Sequence, residues 1–308
     1  MNFAPIVLFT YKRPWHTKQT IEALQKNLYA DQSELFIFSD GAKNEKDELK
    51  VKEVREYLKT IKGFKKIEII ERDKNWGLAN NIIDGVTKVV NEYGKVVVLE
   101  DDLVTSPYFL KFMNEGLKFY EDEEKVISIH GYVYPIEGLP EIFFLRGADC
   151  WGWATWKRGW DLFEKDSKKL LEELEKRKLT KLFDFNGAYP YTALLKAQIC
   201  GKIDSWAIRW YASAFLKEKL TLYPGVSLVK NIGFDENATH TKTPFLAMID
   251  KPFNAPLMMR YVPPIENQEA RKKIEDYFFR TKRKRILYPC KNPKILIKKI
   301  FEKLIYKS

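Results

Sequence analysis

Apolar and polar positions switch period repeatedly through the N-terminal part of the chain. Ile6-Val7-Leu8-Phe9-Thr10 is a short apolar run that predicts a buried strand, and Pro14 opens a helical stretch to about Leu28. Leu35-Phe36-Ile37-Phe38 predicts a second strand, ending at Ser39-Asp40-Gly41, and a charged helix follows from Glu45 to Thr60. Ile67–Ile70 reads as a third strand, Leu78–Glu92 as a third helix, and Lys95–Leu99 as a fourth, almost wholly apolar strand that ends in acids. Strands of this length alternating with helices predict an α/β fold with a mostly parallel central sheet and helices on both faces. In such sheets ligands sit beyond the carboxyl ends of the strands, so those ends are where chemistry is expected.

The pattern beyond this point is less regular. Strand-like segments occur at Val126–Ile129 and Val226–Val229, with a charged helix from about Asp161 to Lys178 and apolar helices around Tyr191–Ile199 and Trp206–Leu216. Trp151, Trp153, Trp156 and Trp160 form an aromatic cluster, in which the i, i+4 spacing of Trp156 and Trp160 suits the core. There is no internal repeat and no low-complexity linker. The expected organisation is one domain over residues 1–280 and a basic extension over 281–308.

Composition narrows the class. At 308 residues, 45% hydrophobic and 31% charged, the chain can bury a sizeable core and is not disordered. It has no apolar run approaching the roughly 18 residues of a spanning helix and no signal-peptide pattern at its start, so a cytoplasmic protein is expected. Three scattered cysteines and three histidines exclude a disulfide scaffold and a structural zinc site.

The net charge of +11 is unevenly placed: residues 281–308 hold ten basic residues against Glu302, and so carry +9 of it. A nearly neutral body with a cationic tail argues against a nucleic-acid groove and for a docking extension. Ile297, Ile300, Phe301, Leu304 and Ile305 recur at helical spacing with lysines between them. Such a helix suits either the anionic inner face of a membrane or packing on the domain with its lysines in solvent.

Three strand ends carry polar residues foreign to a buried core: Tyr11-Lys12-Arg13-Pro14, Asp40-Gly41 and Glu100-Asp101-Asp102. Consecutive carboxylates at the end of an apolar strand need a compensating charge, and oxygen donors of this kind suit Mg²⁺ or Mn²⁺ shared with substrate phosphates. A solvated turn is the simpler alternative, although Ser106-Pro107 already supplies a start for the next helix.

In order along the chain, Phe9-Thr10-Tyr11-Lys12-Arg13-Pro14, Phe38-Ser39-Asp40-Gly41, Asn75-Trp76-Gly77-Leu78-Ala79 and Val98-Leu99-Glu100-Asp101-Asp102-Leu103 resemble nucleotide-sugar-dependent glycosyltransferases of the GT-A fold. The Glu-Asp-Asp form is most similar to the N-acetylglucosaminyltransferase I group and its bacterial relatives, over roughly residues 4–245. The resemblance implies that Arg13 and Asp40 contact the nucleotide. It also implies that Asp102 binds the Mn²⁺ or Mg²⁺ bridging the diphosphate, that Asp101 supports the sugar or ribose, and that Glu100 orients the loop. Trp151-Gly152-Trp153-Ala154-Thr155-Trp156 resembles the family's Trp-Gly loop at donor sugar and acceptor, where Gly152 would let the backbone approach the ligand; core packing is the other reading of Trp151 and Trp153. Ile203-Asp204-Ser205-Trp206 resembles the segment bearing the catalytic base, which falls on Asp204, with Glu236 or Asp235 as fallback. Asp204 also stands where a helix N-cap would. His240 corresponds to a late metal or diphosphate ligand, or to a loop residue without duty; His16 and His130 read as structural.

The expectation is a metal-dependent, inverting glycosyltransferase (a hexosyltransferase) that moves a sugar from a UDP-sugar to a glycan or lipid-linked glycan acceptor. Its setting would be surface polysaccharide synthesis at the cytoplasmic membrane face. A sugar-nucleotide nucleotidyltransferase would carry a glycine-rich phosphate loop after the first strand, which Tyr11–Pro14 lacks. A non-catalytic carbohydrate- or nucleic-acid-binding protein would show no metal-dependent turnover of a nucleotide sugar.

Overall fold

The computed structural model describes residues 3–234 and 253–291, with side chains to residue 282. The strands are β1 (Ile6–Thr10), β2 (Glu34–Ser39), β3 (Lys66–Glu71), β4 (Lys95–Glu100), β5 (Leu103–Thr105), β6 (Val126–His130), β7 (Ile142–Arg146), β8 (Trp153–Trp156), β9 (Leu220–Pro224) and β10 (Val229–Asn231). The helices are α1 (Pro14–Gln25), α2 (Glu45–Leu58), α3 (Leu78–Tyr93), α4 (Phe109–Phe119), α5 (Lys157–Trp160), α6 (Ser167–Lys176), α7 (Thr180–Phe183), α8 (Tyr191–Ile199), α9 (Trp206–Leu216) and α10 (Gln268–Lys291).

Eight strands form one sheet in the order β3-β2-β1-β4-β8-β6-β9-β7, and β5 pairs with β10 in a two-stranded ribbon. The expected α/β sheet is thus present, with β1 to β4 all parallel. Its second half is mixed: β8 runs antiparallel to β4 and β6, and β7 antiparallel to β9.

Alternation within the strands divides the core. Ile6, Leu8, Leu35, Ile37, Val97 and Leu99 face α1, α2 and α4. Val7, Phe9, Phe36, Phe38, Val96 and Val98 face α3, α5 and α9. The apolar stripe of α3, with Ala79, Ile82, Ile83, Val86, Val89 and Val90 buried, makes that second face possible. A third cluster joins β7 to α6, α9 and α10 through Phe143, Leu174, Phe215 and Phe278.

Several boundaries differ from the pattern-based ones. Trp153–Trp156 is a strand, not a loop, and α6 is shorter than the charged run around it. The division at Arg280 falls inside α10, so the basic extension begins within a helix anchored through Ile274 and Phe278. Residues 292–308, which carry the amphipathic pattern, lie outside the described residues. Among the described residues no helix is long and apolar enough to cross a membrane.

Candidate active site

Parallel pairing brings the polar strand ends to one edge. Thr10 pairs with Ser39 and Phe9 with Glu100, so the residues following β1, β2 and β4 emerge together. Because β8 is antiparallel to β4, with Val98 opposite Trp153, the loop preceding β8 reaches the same edge.

The acids are held from three sides. Arg13, just before α1, pairs through Nη2 with Asp101 and, at 3.0 Å, with Asp102 Oδ2. The Thr20 hydroxyl donates to the Asp101 carbonyl at 2.9 Å, and Ile232 N–H donates to the Asp102 carbonyl at 2.8 Å. Gly233 lies so close that a Cβ there would sit 2.1 Å from Asp102 Oδ2, so any other residue would have to displace this carboxylate.

Crowded charge explains the proton affinities. Burial works against the Arg13 charge, yet Asp101 and Asp102 outweigh it and push its pKa upward. Burial and the Asp102 carboxylate push Glu100 up to about 8, and burial raises Asp101 despite Arg13. Asp101 Oδ2 is buried without a hydrogen-bond partner among the described residues. An orphaned carboxylate oxygen beside a second carboxylate fits a hard divalent cation that completes its shell with substrate phosphates. Among the described residues no group of three or more His, Cys, Asp or Glu is arranged to hold a metal, and this carboxylate pair is what they offer one. His240, Asp235 and Glu236 lie outside the described residues.

Asp40 directly follows β2. It is 4% exposed, and its oxygens accept from Gly41 N–H (2.9 Å), Trp76 N–H (2.8 Å), Gly77 N–H (3.1 Å) and Asn75 Nδ2 (3.1 Å). A carboxylate offers about four acceptor sites, and these four protein donors engage them. Asp40 clamps the Asn75-Trp76-Gly77 turn to the end of β2.

The Trp-Gly segment also divides. Trp153 is fully buried, stacked on Trp206 at 5.4 Å and flanked by Trp160 and Trp210 at 5.7 Å, so it builds core and cannot stack on a sugar. Gly152 approaches the protein interior rather than a ligand: at φ 68° its Cβ would lie 2.8 Å from Val229 Cγ2. Trp151 lines a cavity, its backbone N–H donating to His130 Nε2 at 3.0 Å and its ring edge-on to Tyr132 and Phe234. His130 is fully buried, and burial lowers its pKa, which suits the neutral acceptor that this bond requires.

That cavity, 180 Å³ in volume, is walled by tyrosines and phenylalanines with Trp151, Asp149, Cys150 and Ser205. Burial and the charge of Asp149 push the Cys150 thiol well up, and Glu100 and Asp102 add to it, so this residue lies within electrostatic reach of both the cavity and the strand-end acids. Asp204 is not among the cavity's walls. Its side chain is 58% exposed and pairs with Arg209 at 3.1 Å. Nor does it cap α9, since Ser205 Oγ accepts from Ile208 N–H at 3.3 Å and does so instead. Asp149 was not singled out from sequence, although an apolar run (Ile142–Leu145) ending shortly before an acid is the signal that marked β4.

The family model for glycosyl transferase family 2 matches residues 6–183. The chain belongs to glycosyl transferase family 2. Among solved structures it is similar to S. aureus TarS 1-349, at 12% identity and a TM-score of 0.43, covering 76% of this chain and 61% of that one. It is also similar to a mannosyltransferase from Pyrobaculum calidifontis in complex with GDP-Man and Mn²⁺, at 10% identity and a TM-score of 0.39, covering 70% and 69%. A third likeness is to TarS 1-349 in complex with UDP-GlcNAc, at 11% identity and a TM-score of 0.31, covering 45% and 39%. The chain thus spans about three fifths of the TarS 1-349 chain. No curated protein matches the chain. The mostly parallel α/β sheet is consistent with a GT-A fold, and the likeness to the N-acetylglucosaminyltransferase I group rests on the motifs alone.

Proposed function

We propose that this family-2 enzyme is a metal-dependent, inverting hexosyltransferase that moves a sugar from a UDP-sugar to a hydroxyl of a glycan or lipid-linked glycan acceptor. The setting we infer is surface polysaccharide or glycoconjugate synthesis at the cytoplasmic membrane face. The carrying observation is the partly buried Arg13–Asp101–Asp102 cluster, set where the parallel strands end. Arg13 has the planar fork that suits a diphosphate, and the carboxylate pair neutralises it until such a ligand arrives. Asp102, with Asp101 beside it, would hold Mn²⁺ or Mg²⁺, which when bound stabilises charge on the departing diphosphate. With Asp40 saturated, recognition of the nucleotide falls more heavily on Arg13.

The test is binding of a donor panel (UDP-GlcNAc, UDP-glucose, UDP-galactose and GDP-mannose) with Mn²⁺ or with EDTA. A UDP-sugar at 100 times its Kd should stabilise the fold by about 2.7 kcal/mol in Mn²⁺ only. Asp102→Asn should abolish the metal-dependent part while circular dichroism stays native. Unchanged Mn²⁺-dependent affinity would remove Asp102 from the site. Pyrophosphate release from a nucleoside triphosphate and a sugar phosphate would replace the transferase reading with a nucleotidyltransferase.

A further inference from the structure

The peptide ladder between β6 and β8 stops one residue short of Trp151. His130 pairs with Trp153, and Gly131 N–H donates to the Gly152 carbonyl at 2.7 Å. At Gly152 the backbone leaves the extended conformation, with φ at 68°. The next amide, Trp151 N–H, takes a side-chain acceptor in place of a carbonyl: His130 Nε2, at 3.0 Å. An imidazole nitrogen accepts only while it carries no proton, so this bond exists in one protonation state of the ring.

The surroundings hold that state. The ring is fully buried, with Tyr223 of β9 edge-on at 5.0 Å and Tyr132 edge-on at 6.4 Å. Burial lowers its pKa from 6.5, outweighing the Asp149 charge and a backbone hydrogen bond at Tyr132. Besides Asp149, the titratable groups around it among the described residues are Tyr132, Tyr223 and the Cys150 thiol. Burial, first among the causes, pushes all three upward, so they are uncharged at neutral pH.

The bond fixes a turn that touches the strand-end acids at one remove. The Trp151 ring lies edge-on to Phe234 at 5.6 Å, and the preceding Gly233 sits against Asp102 and Arg13. A displaced Trp151 would leave Phe234, and with it the loop over Asp102, without that support.

We propose that His130 is a positioning residue: as a neutral acceptor it latches the Trp151 turn, and proton uptake by its ring in acid releases that turn. The effect on turnover rests on the transferase reading above, whereas the latch itself does not. A proton taken from solvent makes Nε2 a donor that faces the Trp151 donor, so attraction gives way to repulsion. An open turn lets the ring reach water and titrate near 6.5, while the closed ring resists the proton. Opening therefore becomes more favourable as pH falls below that value, until the closed ring is protonated too.

Amide exchange at Trp151 in the full chain, read by mass spectrometry and corrected for the intrinsic rate at each pH, tests the latch without any donor. In wild type, protection should hold at neutral pH and fall by about tenfold by about pH 5. His130→Gln, whose side-chain oxygen reaches close to the Nε2 position and does not titrate, should stay protected across that range. His130→Leu, which offers no acceptor, should exchange about tenfold faster throughout. With Mn²⁺ and whichever donor of the panel binds, kcat should follow protection. It should stay within about threefold of wild type at neutral pH in His130→Gln, with the acid limb moved lower, and fall by about tenfold or more in a natively folded His130→Leu. The same pH dependence of exchange in wild type and His130→Gln overturns the proposal, as does full protection in His130→Leu. Should a variant not fold, wild type decides alone: protection unchanged from about pH 8 to about pH 5 overturns it. If exchange behaves as stated and no donor is cleaved at any pH, the transferase reading fails and the latch stands.

Discussion

The acids after β4 illustrate how much a single residue's surroundings determine. Glu100 ends an apolar strand beside two further carboxylates, and Arg13 pairs with Asp101 and Asp102 but not with it. Burial and Asp102 therefore hold it up to about 8, against 4.5 for an ordinary glutamate. Below 4.5 both folded and unfolded chains are protonated at this position. As pH rises, the unfolded chain releases the proton first, so the stabilising contribution is progressively lost until the folded group also ionises near 8. In EDTA, the melting temperature of wild type relative to Glu100→Gln should fall between about pH 5 and 8. Parallel melting curves across that range would show that Glu100 ionises in the folded state as it does in water.

At the scale of elements, β8 divides a motif that reads as one. Trp151 and Trp153 stand two apart and would share a face of an extended strand, which is why the sequence leaves both open to sugar stacking. Gly152, at φ 68°, breaks that extension: Trp151 is turned to the cavity while Trp153 enters the tryptophan cluster. Trp153→Ala should cost about 3–5 kcal/mol in urea unfolding, as expected for a large aromatic removed from a closed core. Trp151→Ala should cost less stability and act mainly on turnover. A loss below about 1 kcal/mol for Trp153→Ala would place its ring outside the core. The β1–β4 unit was legible because apolar strands and an amphipathic helix such as α3 carry their own periods. In the second half β6, α8 and α9 were legible in the same way, whereas β7, β8 and β9 were not, because they are short strands whose burial comes from distant partners, including α6, α9 and α10. The acid cluster was legible because three carboxylates in a row have no place in a core. Saturation of Asp40 was not, because its four donors depend on where the turn at residues 75–77 lands.

For the whole molecule, charge is segregated from chemistry. Residues 292–308 hold five lysines against Glu302, while the strand-end site and cavity belong to the body. Deleting 292–308 should leave donor binding and the melting temperature unchanged and weaken binding to anionic vesicles, by about 1 kcal/mol per lysine near the surface at low ionic strength. Full vesicle affinity after deletion, or a destabilised body, would assign the segment a structural role instead.

The pairing of β4 with β8 has a consequence for precision. β4 delivers the acids and β8 is entered from the Trp151 turn, and the two are aligned by backbone hydrogen bonds from Lys95 opposite Trp156 to Val98 opposite Trp153. A slip of one residue would turn Trp153 out of its cluster and reverse every side chain on the strand, so the register is discrete. The spacing between the strand-end acids and the Trp151 turn is thus measured by a ladder of peptide units, a ruler that side-chain drift cannot stretch.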